Sequence, residues 1–202
     1  MEALCQPIPL SCQNYKMKNP NELNLDRCIV LVGIMGAGKS SVGRRLAKRL
    51  GLTFNDADQE IEKSADCTID EFFERHGEAA FRTGERKVIA RLLDGPHHVL
   101  ATGGGAFMDP EIRAAIREHG ISVWLQADLD TLLERVTRRG NRPLLKRGNP
   151  REIIAKLMAE RDPVYAMADL TVKSVQGPHE EIVERIVSAL KNHVTLAVED
   201  GA

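Results

Sequence analysis

Gly33-Ile34-Met35-Gly36-Ala37-Gly38-Lys39-Ser40 follows the apolar run Cys28-Ile29-Val30-Leu31-Val32 and opens the segment Ser41 to Leu50. A buried strand, a glycine-rich turn and an amphipathic helix are the setting in which G-x-x-x-x-G-K-[ST] cradles phosphate. Gly33, Gly36 and Gly38 let the backbone turn tightly and bring bare amides inward. The loop amides from Gly36, Ala37 and Gly38 through Ser40 and Ser41, with the positive end of the following helix, attract phosphate oxygens. Lys39 reaches the β- and γ-phosphates, and the Ser40 hydroxyl suits Mg²⁺. With glycine near 7% of residues, the pattern alone arises by chance in roughly one chain of this size in a hundred. The strand before it and the helix after it lower that further.

Outward from this stretch, 202 residues suffice for one domain with a substantial core. Hydrophobic residues at 43% and charged ones at 28% give the balance of a globular protein. A net charge of −1 offers no global attraction to nucleic acid or to an anionic membrane, so any basic site is local. No apolar run reaches the ~18 residues of a membrane span. Cys5, Cys12, Cys28 and Cys67 lack metal-ligand spacing, which predicts a reduced, cytoplasmic protein. Residues 1–26 are polar and irregular, with neither the apolar core nor the cleavage site of a secretory signal. They read as an extension, with Met17 as an alternative start.

The helix behind the loop places Val42, Leu46 and Leu50 on one face, and Gly51 ends it. Arg44, Arg45, Lys48 and Arg49 read as its solvated side. A strand over about Leu52 to Asn55 leads into Asp56-Ala57-Asp58. In extended chain residues two apart point the same way, so both aspartates are expected to project beside the cradle. The competing structural role for Asp58 is a helix cap.

Thr68 to His76 reads as a helix with Thr68 as cap and Glu71 completing a capping box. After Gly77 a second helix runs from Glu78 to Leu93, with Phe81, Val88, Ile89 and Leu92 inward. Arg82 adjoins that apolar side, and from the residues alone its role stays open between surface ion pair and ligand contact. The two helices form an insertion over about 58–94. Val99 to Thr102 is a strand, and Gly103-Gly104-Gly105-Ala106 after it predicts close approach of a ligand to bare backbone. Asp109-Pro110 starts a helix to His119. Ile121 to Leu125 is a fourth strand, with Trp124 in the core, and Asp128 caps a helix to about Arg138. Residues 138–150 are basic and interrupted by glycine and proline, which suits a lid over a triphosphate. An exposed loop or a nucleic-acid patch is the other reading. A helix from Asn149-Pro150 to about Asp162 carries Arg161 at its end, before Pro163. Leu170 to Val172 is a fifth strand, Pro178 to Asn192 a closing helix, and 194–202 a tail. Alternating strands and helices predict an α/β three-layer sandwich, a five-stranded parallel sheet with helices on both faces.

From about Cys28 to Val172 the chain resembles the shikimate kinases. The resemblance rests on the phosphate loop, Asp56-x-Asp58-x-x-Ile61-Glu62, Phe81-Arg82-x-x-Glu85, Gly103-Gly104-Gly105-Ala106, Arg142-Pro143-Leu144-Leu145, and Arg161 ahead of Pro163. It implies a P-loop kinase domain over 27–193 that transfers phosphate from ATP to the 3-hydroxyl of shikimate, toward chorismate and aromatic amino acids. Asp58 then binds the ring hydroxyls, and Asp56 supports Mg²⁺ through water. Arg82 and Arg161 hold the substrate carboxylate, and backbone at Gly104 and Gly105 completes the pocket. Arg142 contacts the phosphates, and Arg135 or Arg138 lies against adenine. Lys39, Asp58 and Arg142 are the expected catalytic groups. Neither nucleic acid nor membrane is an expected partner, and a monomer is expected.

Two other classes compete. A gluconate or other small-metabolite kinase shares the scaffold. A regulatory GTPase or a non-catalytic nucleotide-binding module fits less well, since there is no N-K-x-D guanine-reading motif.

Overall fold

Cys28–Val32 (β1) is wholly buried, as five consecutive apolar residues in a strand covered on both faces must be. The structure, a computed structural model, describes Leu23, residues 25–139 and residues 148–199. Around β1 the remaining strands take the order β2-β3-β1-β4-β5, where β2 is Thr53–Asp56, β3 His98–Ala101, β4 Gly120–Gln126 and β5 Leu170–Lys173. All pairings are parallel, with Ile29 opposite Val99 on one side and Ile121 on the other.

The helices are α1 (Lys39–Leu50), α2 (Ala57–Ala65), α3 (Ile69–Leu93), α4 (Pro110–His119), α5 (Leu129–Arg139), α6 (Pro150–Tyr165) and α7 (His179–Glu199). Right-handed crossovers put α1 on one face and α3 and α4 on the other, and α7 returns to pack on α1. The predicted three-layer sandwich is thus present. Ion pairs from Arg45 to Glu180 and from Arg49 to Glu184 tie the exposed side of α1 to α7. Burial raises the pKa of the Cys28 thiol, which suits a core residue rather than a nucleophile. No helix among the described residues is long and apolar enough to cross a membrane.

Three helices depart most from the sequence reading. The two helices expected on either side of Gly77 form one kinked element, α3, with Gly77 in a non-helical conformation at φ 76°. The Thr68–Glu71 capping box at its start is present as read. Helix α6 continues through Pro163 to Tyr165, so Arg161 stands one turn inside it. Pro163 forfeits only the bond to the Ala159 carbonyl, and burial of the Tyr165 ring offsets that loss. Helix α7 runs on to Glu199, because neither glycine nor proline occurs between Asn192 and Glu199.

Candidate active site

The carboxyl ends of β1, β2 and β3 meet at the phosphate loop, as ligand-binding edges of open α/β sheets do. Gly36 (φ 85°) and Gly38 (φ 96°) hold left-handed backbone, and a Cβ on Gly36 would stand 2.8 Å from Val136 Cγ2. The cradle therefore closes on α5 only with glycine there. Lys39 Nζ donates to the carbonyls of Gly33 at 2.5 Å and Ile34 at 3.1 Å, which folds its ammonium back over the loop. Ser40 Oγ donates to Asp56 Oδ2 at 2.7 Å.

Asp56 and Asp58 do not lie two apart along a strand. Asp56 ends β2 and caps α2, accepting the Asp58 amide at 3.2 Å, while Asp58 occupies the first helical turn. The cap is thus Asp56, and Asp58 lines the crevice. Both carboxylates still line one cleft with Met35, Lys39, Ser40, Thr102 and Gly104, because β2 delivers the helix start to the loop.

The three glycines after β3 make room for close neighbours, side chains at Gly103 and Gly105 and the phosphate-loop backbone at Gly104. A Cβ on Gly103 would lie 2.7 Å from Asp58 Oδ1 and 3.1 Å from Glu85 Oε1. One on Gly104 would lie 3.3 Å from the Met35 backbone nitrogen, with Arg161 Nη1 at 3.8 Å, and one on Gly105 2.7 Å from Arg82 Nη2. The bare backbone is lined by the three charged residues singled out from sequence, Asp58, Arg161 and Arg82. Arg161 Nη1 donates to the Gly104 carbonyl at 2.9 Å. Arg82 Nη1 donates to Glu85 at 2.6 Å, and its Nη2 reaches Glu78 at 3.4 Å. Burial raises the Glu85 pKa, more than Arg82 lowers it, and the negative charges of Asp58 and Asp109 add to the rise. For Arg82 burial works against the charge, but the pairing with Glu85 and Glu78 outweighs it and holds the pKa above the usual value.

On the other side of the loop a cleft of about 390 Å³ is lined by Gly36, Gly38, Ser41, Arg135, Arg138 and His179, among others. Arg135 Nη1 donates to Ser174 Oγ at 2.9 Å and to the Ala37 carbonyl at 3.3 Å, and its Nη2 donates to the Val175 carbonyl at 2.8 Å. Arg138 pairs with Glu134 and lines the same cleft. Arg142, with most of the expected lid, lies outside the described residues.

A family model described as "Shikimate kinase" matches residues 35–191. The chain belongs to the shikimate kinase family. A shikimate kinase of Rhodopseudomonas palustris is 59% identical over 202 residues, covering 98% of each chain. A shikimate kinase from Acinetobacter baumannii in complex with shikimate superimposes with a TM-score of 0.78 at 40% identity, over 82% of this chain and 93% of that one. A gluconokinase from Sinorhizobium meliloti, at 21% identity and a TM-score of 0.58, over 86% of this chain and 97% of that one, shares the fold alone.

A hydroxyl and a carboxylate 2.7 Å apart beside the phosphate loop are hard oxygen ligands of the kind Mg²⁺ takes, with water and phosphate supplying the rest. Among the described residues no group of three or more His, Cys, Asp or Glu gathers as a metal cage, and Mg²⁺ needs none. In the larger cleft Arg135 is anchored at three oxygens.

Three residues around the site escaped the sequence reading as contributors. Glu85 sits in the quoted motif three residues after Arg82, a spacing that pairs side chains on a helix and could have revealed it. Tyr165 and Ser174 carried no such signal. Their partners, the Gly104 and Ala37 carbonyls, are 61 and 137 residues away.

Proposed function

We infer that this chain transfers the γ-phosphoryl group of ATP to the 3-hydroxyl of shikimate, giving ADP and 3-phosphoshikimate. One observation carries the assignment of the acceptor side. Asp58, Arg161 and Arg82 converge on the Gly103–Gly105 turn, beside a phosphate loop whose Lys39 faces the same crevice.

Two guanidiniums facing a carboxylate make charge-assisted hydrogen bonds, each worth ~1.5–3 kcal/mol, and select a small anionic acceptor. Arg82 and Arg161 take this role, and backbone at Gly104 and Gly105 completes the pocket. Asp58 then orients the ring hydroxyl and accepts its proton as the oxygen attacks the γ-phosphorus. The loop amides from Gly36 to Ser41 and Lys39 hold the phosphates, so Lys39 must leave the Gly33 and Ile34 carbonyls for the triphosphate. Ser40 and Asp56 are the residues that would hold Mg²⁺, Ser40 by its hydroxyl and Asp56 by way of water, and the ion would supply Lewis-acid neutralisation of phosphate charge. Arg142 adds charge from the lid, and Arg135 lies against adenine. Transfer is direct and in line, without a covalent enzyme intermediate, and inverts configuration at phosphorus. The free thiols of Cys28 and Cys67 agree with a reducing, cytoplasmic setting, and we read the enzyme as a monomer.

An ADP-release assay comparing shikimate, gluconate and no acceptor tests the reading. Shikimate is expected to exceed gluconate by at least about a hundredfold in kcat/KM, since a site with buried polar groups rejects acceptors that leave them unpaired. Equal turnover with and without shikimate would overturn it.

A further inference from the structure

Two donors meet on one carbonyl in the acceptor half of the site. Arg161 Nη1 donates to Gly104 O at 2.9 Å, and the Tyr165 hydroxyl donates to the same oxygen. The two residues are four apart on α6, so one helix face presents both. They differ in freedom. Arg161 is half-buried at the crevice, whereas Tyr165 is 0% exposed, its ring 5.9 Å from Trp124 of β4 and 6.3 Å from Phe107 behind the glycine turn. Burial pushes the phenol pKa up to about 12, so the hydroxyl remains a donor at any working pH.

We propose that Tyr165 is a positioning residue for the acceptor: its hydroxyl holds the Gly104 carbonyl so that Arg161 can turn its guanidinium to the acceptor's carboxylate. A carbonyl oxygen has two acceptor lone pairs, and here one donor is fully buried and the other only half-buried at the crevice. Were Arg161 the sole partner, each turn toward a bound carboxylate would strip a part-buried carbonyl of its bond. With the tyrosine in place the oxygen stays satisfied and the arginine is released without that loss. Because C=O and the following N–H point opposite ways across a planar peptide, fixing Gly104 O also fixes the direction of the Gly105 amide. Tyr165 thereby sets two elements of the acceptor pocket while touching no acceptor atom. The role rests on the acceptor reading given above.

Tyr165→Phe keeps the ring, its volume and its stacking, and removes only the hydroxyl. The expected result is a rise of about five- to tenfold in KM for shikimate, with KM for ATP within about twofold of the parent. An unchanged KM for shikimate, or equal rises for both substrates, overturns the proposal. Phe107→Leu loosens the same stack but leaves the hydroxyl in place. An equal rise in shikimate KM there would reduce the effect to packing and also overturn it. Failure of the parent enzyme to turn over shikimate would instead refute the functional reading, so the two are separable. A measurement without an altered site covers a variant that does not fold. The sequence holds two tyrosines, Tyr15 and Tyr165, so fluorotyrosine-labelled protein yields two ¹⁹F resonances, assigned with Tyr15→Phe. The Tyr165 resonance is expected to move on addition of shikimate, and a resonance indifferent to it overturns the proposal.

Discussion

Glu85, only 1% exposed, accepts a 2.6 Å hydrogen bond from Arg82, whose side chain is 30% exposed. The buried carboxylate fixes one end of the guanidinium, and the whole group lies against the Gly105 backbone. Glu85→Gln retains the volume but lacks the charge that orients Arg82. It should raise KM for shikimate about tenfold with little effect on KM for ATP, as loss of an oriented charge-assisted contact does. Glu85→Ala should also lower the melting temperature, since it strands a part-buried cation beside a cavity. Steady-state kinetics with each substrate varied in turn, plus a thermal melt, decide both points.

Ser40 and Asp56 form a second pair, at 2.7 Å. With these two oxygens as the protein's share of the Mg²⁺ environment, Ser40→Ala and Asp56→Asn should each raise the Mg²⁺ concentration for half-maximal rate by about tenfold or more. Excess Mg²⁺ should restore part of the rate. A titration whose midpoint does not move would show that the pair only braces the loop.

Gly103 and Gly84 offer opposite outcomes for the same substitution. A Cβ on Gly103 would press on Asp58 Oδ1 at 2.7 Å and Glu85 Oε1 at 3.1 Å, from two different helices. Gly103→Ala should therefore displace Asp58 and cost about a hundredfold in kcat, the scale of an ångström's misplacement. Nothing lies within 4 Å of a Cβ on Gly84 inside α3. Gly84→Ala should stabilise by up to about 1 kcal/mol in denaturant melts and leave turnover unchanged.

Tyr165 gives an alkaline signature. Its pKa is raised from 10.0 to about 12 by burial, so the folded state keeps a proton that the unfolded chain has lost. Folding stability must then fall as pH rises between those values, by roughly 2–3 kcal/mol from this one group. Denaturant melts at pH 9 and pH 11 are expected to show less loss in Tyr165→Phe than in the parent. Equal losses in the two proteins would mean that Tyr165 titrates normally.

The elements were legible wherever their cause is local. The five-residue apolar run of β1, the glycine loop behind it and the Thr68, Asp109 and Asn149 caps each rest on contacts a few residues apart. Alternating strands and helices, with right-handed crossovers, then leave little freedom beyond the observed parallel sheet. Asp56 and Asp58 show where such reasoning fails. The alternation of extended chain does not hold across a helix start, and the shared cleft arises from the position of β2 instead. The motifs named Arg82 and Arg161 without saying what aims them.

By itself, then, the amino-acid sequence determined the phosphate loop, the order of layers and the identity of the charged residues, since periodicity, capping and glycine geometry are short-range properties. Only the tertiary structure decided that Glu85 grips Arg82 under the glycine turn, that Ser174 bonds the Ala37 carbonyl, and that Tyr165 shares the Gly104 carbonyl with Arg161. The last two join segments distant in sequence. Such contacts are set by how helices settle on the sheet, which no repeat or spacing along the chain encodes.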